Sequence, residues 1–435
     1  MKLRVRPARR LTGHTEVPGD KSISHRAALL GALAEGVTEV QGYLEAEDCL
    51  HTIAGIEALG VEVTRKAYGE YRIAGVGLRG LSEPSDIIDC GNSGTMARLL
   101  PGVLAGMPFW TIMTADASMR QRPMGRVAEP LRRMGATVVG RGDGTKLPLA
   151  IRGVERLAAI DYTLPVASAQ LKSAILLAGL YADGPVTIKE PAASRDHSER
   201  MLRRFGVSVE SADGTVRVVP SKLAATALRV PGDISSAAFV LAAALVTSDS
   251  RVTVNAVGLN PTRTGLLDVL GEMGAKLDVV GRATDDEPIG VITVAASELR
   301  GATVGGALIP RLIDEVPALA VVAAVASGRT EIRDAAELRV KESDRIAAIA
   351  RGLGAMGARV SERPDGIVIE GGTRLRGAHV SSGGDHRLAM ALAVAGLVAE
   401  GETVVDDTAC IETSFPRFAE TINALTEEPS LVIEA

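Results

Sequence analysis

The stretch Pro18-Gly19-Asp20-Lys21-Ser22-Ile23-Ser24-His25-Arg26 decides how this chain is read. Pro-Gly is a turn signal that ends an extended segment, and Asp20 or Ser22 can cap a helix beginning there. The run that follows, residues 27–34, is apolar and built mostly of small residues. Lys21, Ser22 and Arg26 are thereby predicted around a helix N-terminus, where unpaired backbone N–H groups favour an anion. One such place is an ordinary helix cap. Its repetition is what carries information.

The same unit, a small-residue helix followed by a turn and a β-rich run, recurs six times: at 25–40, 95–112, 170–188, 235–254, 316–332 and 386–405. The mean period is about 72 residues, which is long for a solenoid and suits a whole supersecondary unit per repeat. A second unit alternates with it. Here an amphipathic helix closes on an apolar residue and Gly before a short strand, with the glycines at Gly60, Gly135, Gly206, Gly274 and Gly357, spaced 75, 71, 68 and 83 residues apart. A glycine recurs there because the residue after a helix favours positive φ. A sixth, glycine-free copy is expected at residues 418–433.

Helices of the first kind carry little charge on any face and are expected to be buried all round. Those of the second kind, such as Glu129-Pro130-Leu131-Arg132-Arg133 and Glu199-Arg200-Met201-Leu202-Arg203-Arg204, are expected to turn their charges to water. With about four strands per unit, the prediction is an α/β protein of two pseudo-symmetric halves, each of three repeats wrapping buried helices in sheet. The segment Val230-Pro231-Gly232-Asp233 echoes Val17-Pro18-Gly19-Asp20. The alternating N-terminal residues Lys2 to Arg6 read as a strand. Together these place one half at 18–230 and the other at 1–17 plus 231–435.

Composition narrows the function. The chain has 435 residues, 46% hydrophobic but only 3% aromatic, and a net charge of -5. An acidic chain of this kind is not a general nucleic-acid surface, so clustered basic residues should serve a local anion. Cys49, Cys90 and Cys410 form no CxxC, which points to a reducing, cytoplasmic setting. The N-terminus has no apolar signal region, and the longest apolar runs fall well short of the ~18 residues a membrane span needs. The six histidines show no metal-ligand spacing, and no GxGxxG opens a βαβ unit, so neither a metal nor a cofactor is expected.

Each buried helix is preceded by a capping residue and small or polar companions: Asp20-Lys21-Ser22, Gly91-Asn92-Ser93-Gly94, Ser168-Ala169-Gln170, Gly232-Asp233, Asp314-Glu315 and Asp385-His386-Arg387. Helix starts aligned by pseudo-symmetry would give a summed positive potential suited to a small polyanion. Arginines add to this at Arg120, Arg122, Arg126, Arg195 and Arg345, and arginine suits a bidentate grip on carboxylate and phosphate. Lys341 and Arg345, spaced i and i+4, are expected to share one helix face, with Glu342 and Asp344 off it. Asp314 reads as the N-cap of its helix.

The motifs PGDKSISHR, GNSGT, QRPMGR, SAQLKSA, SRDH, LIDEVP, RVKESDR and GGDHRLAM, in this order along nearly the whole chain, resemble the 5-enolpyruvylshikimate-3-phosphate synthase family, in a form like its class II bacterial branch. The resemblance implies two domains, each of three βαβαββ repeats, forming an inside-out α/β barrel arrangement with the active site in the cleft between them. It also implies a monomer. The reaction it implies is transfer of the carboxyvinyl group of phosphoenolpyruvate to the 5-hydroxyl of shikimate-3-phosphate, with phosphate released. By motif match, Lys21, Ser22, Arg26, Ser168, Ala169, Gln170, Ser194, Arg195, Asp314 and Lys341 would hold shikimate-3-phosphate. Lys21, Asn92, Gly94, Arg122, Gln170, Lys341, Arg345, His386 and Arg387 would hold phosphoenolpyruvate. Lys21, Asp314 and Glu342 would move protons.

Two departures from the family pattern stand out. Ala169 takes the place of a serine in Ser-Ser-Gln, which removes one hydroxyl. Glu412-Thr413-Ser414 stands before Phe415-Pro416, where many members carry a lysine. Gly94, alanine in some herbicide-tolerant members, is expected to leave room for glyphosate. The sister enzyme acting on UDP-N-acetylglucosamine relies on a loop cysteine, and residues 115–126 contain none.

Overall fold

A computed structural model describes residues 1–282 and 287–434. The chain divides into two compact units, Gly19–Val230 and Met1–Pro18 with Pro231–Ala435. Both are α/β with mixed sheets.

In the 19–230 unit one repeat shows the plan clearly. A two-residue strand, Ile88–Asp89, leads into the buried helix Gly94–Leu104, then the strand Trp110–Thr114 and the helix Gly125–Arg133. The hairpin Thr137–Gly140 and Leu149–Arg152 completes a four-stranded sheet whose first pair is parallel and whose other pairs are antiparallel. The sheet with Asp161–Thr163 and Val186–Lys189 repeats this order and sense, pairing Val186–Lys189 with Thr215–Val218 and that strand with Val209–Ala212. The sheet around Ala34–Gln41 does too, except that its parallel edge comes from Leu223–Ala224 and Ala227–Arg229 at the far end of the unit.

The second unit builds three sheets by the same rule and borrows both N-terminal strands. Thr12–Glu16 is the parallel edge beside Arg251–Gly258. Lys2–Val5 lies antiparallel between Thr403–Asp406 and Leu431–Glu434. Leu3 and Val5 face the core, and Arg4 on the other face pairs with Glu402 and Glu434. The helix Phe418–Asn423 and strand Leu431–Glu434 are the expected glycine-free sixth copy. The other five copies close on Gly60, Gly135, Gly206, Gly274 and Gly357, all at positive φ.

The small-residue helices are buried all round, as their composition predicts. In Ile234–Val246 every residue from Ile234 to Leu245 is buried, and in His386–Gly396 all are. Small side chains let backbones approach closely: a Cβ added at Gly102 would lie 2.2 Å from the Ala174 carbonyl oxygen of the neighbouring helix.

The second class of helix needs one correction. Glu199, expected to face water, is only 1% exposed. Arg203 and Arg204 in the same helix do face solvent, so the charged residues split between two faces. Counting charges along His197–Arg204 misses this split because Glu199 lies on the side of Met201 and Leu202, where it has an ionic partner inside the unit.

Candidate active site

Five of the six buried helices are capped by a side chain that accepts a backbone N–H of the first turn. Asp20 takes Ile23, Ser93 takes Met96, Ser168 takes Leu171, Asp233 takes Ser235 and Asp385 takes Arg387. Each such cap contributes about 1 kcal/mol and leaves other first-turn N–H groups available to an anion. The sixth helix, Val316–Val325, differs: its N-cap is Glu315, whose side chain makes no capping bond, and Pro317 stands in its first turn.

In the 19–230 unit, Lys21 opens its helix in ionic contact with the buried Asp48. One turn on, Arg26 is 4% exposed and ties three elements together. Its guanidinium donates to the Ser22 carbonyl at 2.9 Å, the Ser173 hydroxyl at 2.6 Å and the Ser198 hydroxyl at 2.7 Å. His25, fully buried between Thr52 and Ser93, has its pKa held well below the usual histidine range, first by burial and then by the Lys21 and Arg26 charges. A neutral imidazole there can bridge two hydroxyls.

Gly94, Arg98, Arg122 and Gln170 form the second focus of this unit. Arg98 donates to the Gln170 amide oxygen at 2.7 Å, and Gln170 donates on to Thr95 at 3.1 Å. A methyl added to Gly94 would lie 2.9 Å from Arg122 Nη1 and 3.1 Å from Arg98 Nη1. Two guanidinium groups thus crowd an open helix start. Asn92 donates to Asp116 at 2.6 Å.

In the other unit, the carboxylate of Asp314 receives both the Lys341 ammonium and the Arg345 guanidinium, each at 3.2 Å. Arg345, 1% exposed, also bonds Glu342 at 2.6 Å and Asp385 at 2.8 Å. Burial alone would lower the Arg345 pKa, but Asp385, Glu342 and Asp314 outweigh it and raise the pKa above the ordinary arginine value. The charged Arg345 in turn holds the Asp385 carboxyl below the usual range against the effect of its burial. Arg387 donates to the Asp314 carbonyl at 3.1 Å. Asp314, Glu342 and three cations are therefore gathered at adjacent helix starts.

Two expectations fail in detail. Lys341 and Arg345 do not share a helix face: a 3₁₀ turn ends at Val340, Lys341 is extended, and the helix begins at Arg345 behind the Asp344 cap. Asp344 ends the i, i+4 argument because its side chain bonds the Ala347 N–H and so starts the helix there. The two cations still meet, through Asp314. Asp314 itself is not the N-cap of Val316–Val325; its carboxylate is spent on Lys341 and Arg345, and Glu315 holds the cap position.

Comparison with known proteins gives this geometry its relatives. A sequence model described as EPSP synthase (3-phosphoshikimate 1-carboxyvinyltransferase) matches residues 5–422. The chain belongs to the EPSP synthase family. A 3-phosphoshikimate 1-carboxyvinyltransferase of Desulforudis audaxviator is 54% identical over 98% of this chain and 100% of the relative. One of Gloeobacter violaceus is 55% identical over 96% and 97%. A solved EPSP synthase from Acinetobacter baumannii matches at 43% identity with a TM-score of 0.89, covering 100% of both chains.

Within the 19–230 unit, the fold gathers the motif residues Ser22, Arg26 and Ser194 near Lys172 and Ser173, which lie inside SAQLKSA but carry no role in the motif reading, and near Ser198 and Glu190, which lie outside the motifs. Arg98 and Asp48 were passed over as well. A signal for two of them was present: Arg98 and Lys172 are charges inside otherwise apolar helices, and a buried charge requires a partner. Ala169 contributes its carbonyl, which accepts from Ser173 at 2.6 Å. Among the described residues no group of His, Cys, Asp and Glu could hold a metal, and no helix is long and apolar enough to cross a membrane.

Proposed function

We propose that this chain transfers the carboxyvinyl group of phosphoenolpyruvate to the 5-hydroxyl of shikimate-3-phosphate, releasing inorganic phosphate, in the shikimate route to aromatic amino acids. The observation that carries the reading is the convergence of Lys341 and Arg345 on Asp314, beside Glu342, in a chain that aligns end to end with named 3-phosphoshikimate 1-carboxyvinyltransferases.

The chemistry asks for carboxylates and cations together. In the addition step the 5-hydroxyl loses its proton and bonds to C2 of phosphoenolpyruvate while the methylene carbon gains a proton. In the elimination step the new methyl group gives up a proton and the C2–O bond to phosphate breaks. Each step needs a base to take one proton and an acid to supply another. Asp314 and Glu342 are the carboxylates assigned to this traffic, and Lys21 is the companion donor. Arg345 and Arg387, with Arg122 of the other unit, hold the phosphate and carboxylate of phosphoenolpyruvate and stabilise charge on the departing phosphate. Ser22, Arg26, Ser168, Gln170, Ser194 and Arg195 hold shikimate-3-phosphate. In this reading the units are pseudo-symmetric domains of an inside-out α/β barrel kind, and residues of both serve one reaction in a monomer.

The deciding measurement is phosphate release that requires both phosphoenolpyruvate and shikimate-3-phosphate. Release with UDP-N-acetylglucosamine as the only acceptor would overturn the assignment.

A further inference from the structure

Lys172 stands out when the six buried helices are superposed by their starts. The fourth helical residue is Ser24, Ala97, Ala237, Leu319 or Ala389 in the other five, and lysine only here. The packing role of that position is met by a small or apolar side chain. Lys172 is nevertheless 1% exposed. A buried ammonium is tolerated only when fully paired.

Its partners all belong to one connection. Nζ lies 2.9 Å from Glu190, which follows the strand Val186–Lys189, and 2.6 Å from Glu199 in the helix His197–Arg204. It also lies 3.5 Å from the Ser194 carbonyl. Glu190 in turn accepts the Ser194 hydroxyl at 2.5 Å. One cation thus holds both ends and the middle of the turn that presents Ser194 and Arg195. Ser173 and Ser198, each next in sequence to Lys172 or Glu199, bond each other at 2.7 Å and both accept from Arg26.

We propose that Lys172 is the positioning residue for the shikimate-3-phosphate end of the reaction, acting through Glu190 and the Ser194–Arg195 turn. The proposal rests on the reading that this turn holds that substrate. Ser194 has one hydroxyl proton, and it points to Glu190. When a phosphate dianion arrives the hydroxyl turns to it, and Glu190 keeps the Lys172 ammonium, so no carboxylate is left buried without a partner. Lys172 therefore sets the turn and makes the exchange cheap.

The test compares Lys172→Met with Leu176→Ala, a cavity variant on the same helix, by calorimetric binding of shikimate-3-phosphate and by the two KM values. Lys172→Met is expected to weaken shikimate-3-phosphate binding about tenfold or more with the KM for phosphoenolpyruvate within about twofold, and Lys172→Arg to recover most of the loss. Leu176→Ala is expected to lower Tm without that split. If Lys172→Met does not fold, Glu190→Gln, which keeps the Lys172–Glu199 pair, is expected to show the same split. Equal changes in both KM values, or binding unchanged in whichever variant folds, would overturn the proposal. Failure of the function reading looks different: the unaltered chain would release no phosphate from the substrate pair. An active chain in which Ser194→Ala binds shikimate-3-phosphate normally would remove the turn from the site, and Lys172 with it.

Discussion

Asp314 accepts the Arg345 guanidinium at 3.2 Å across 31 residues of chain, on the same carboxylate oxygen that meets Lys341. Two cations on one oxygen fix the direction of this carboxylate before substrate arrives, and a proton-transferring group depends on such positioning.

Replacing it isostericly separates charge from shape. Asp314→Asn is expected to lower kcat by about a hundredfold to ten-thousandfold, the range a positioned acid or base supplies. Arg345 keeps Asp385 and Glu342 in that variant, so Tm should move by less than about 3 °C. Steady-state phosphate release and a thermal melt on the same preparation check both halves. A kcat within fivefold of the unaltered chain would remove Asp314 from the chemistry.

Gly94 offers a second test. An alanine methyl would stand 2.9 Å from Arg122 Nη1 and 3.1 Å from Arg98 Nη1, closer than van der Waals contact allows. Both guanidinium groups must shift, and with them the Gln170 bond. Gly94→Ala is expected to raise the KM for phosphoenolpyruvate about tenfold and the inhibitory glyphosate concentration by more, because the two anionic groups of glyphosate stand one bond further apart than those of phosphoenolpyruvate and leave less room for the added methyl. Inhibition curves at fixed phosphoenolpyruvate decide it: equal sensitivity of the two proteins would sink the idea.

The sixfold repeat was legible because it depends on local signals: small-residue runs, Pro-Gly turns and glycines after helices. The helix starts were legible for the same reason. What escaped was settled by distant partners. Glu199 reads as a water-facing charge in its own helix, and only Lys172, 27 residues earlier in the chain, accounts for its burial. Lys341 looked helical because spacing alone does not reveal that Asp344 starts the helix three residues later. Asp48 gave no signal, since an acid in a helical first turn is commonplace. Motif resemblance supplied substrate names that no periodicity contains.

Burial of His25 predicts a pH dependence of stability. Its folded pKa lies well below the ordinary value of 6.5, through burial first and the Lys21 and Arg26 charges second. The unfolded chain therefore binds a proton at this residue as pH falls through about 6.5, and the folded chain does not. Stability must drop with falling pH in that window, by up to about 1.4 kcal/mol per pH unit from this group. His25→Gln can still bridge Thr52 and Ser93 but cannot titrate. The difference in unfolding free energy between the two proteins should shift in favour of the variant between pH 6.5 and 5. A constant difference across that window would show that His25 takes up its proton in the folded state.

The N-terminal strand carries the last prediction. Leu3 is 1% exposed and sits where Lys2–Val5 joins Thr403–Asp406 to Leu431–Glu434, so the final sheet of the 231–435 segment is completed by the first strand of the chain. Leu3→Ala removes a buried side chain at that seam and is expected to cost about 2–5 kcal/mol, as core truncations do. The loss should fall on one unit. The chain has a single tryptophan, Trp110, in a strand of the 19–230 unit. Urea unfolding followed by tryptophan fluorescence therefore reports that unit, and far-ultraviolet circular dichroism reports both. The dichroism transition of Leu3→Ala should broaden and begin at lower urea while the fluorescence midpoint stays within about 0.3 M of the unaltered protein's, given slopes of a few kcal/mol per molar. Coincident displacement of both signals would mean that the two units unfold as one, and that the N-terminal strand secures the whole chain rather than the unit whose sheet it closes.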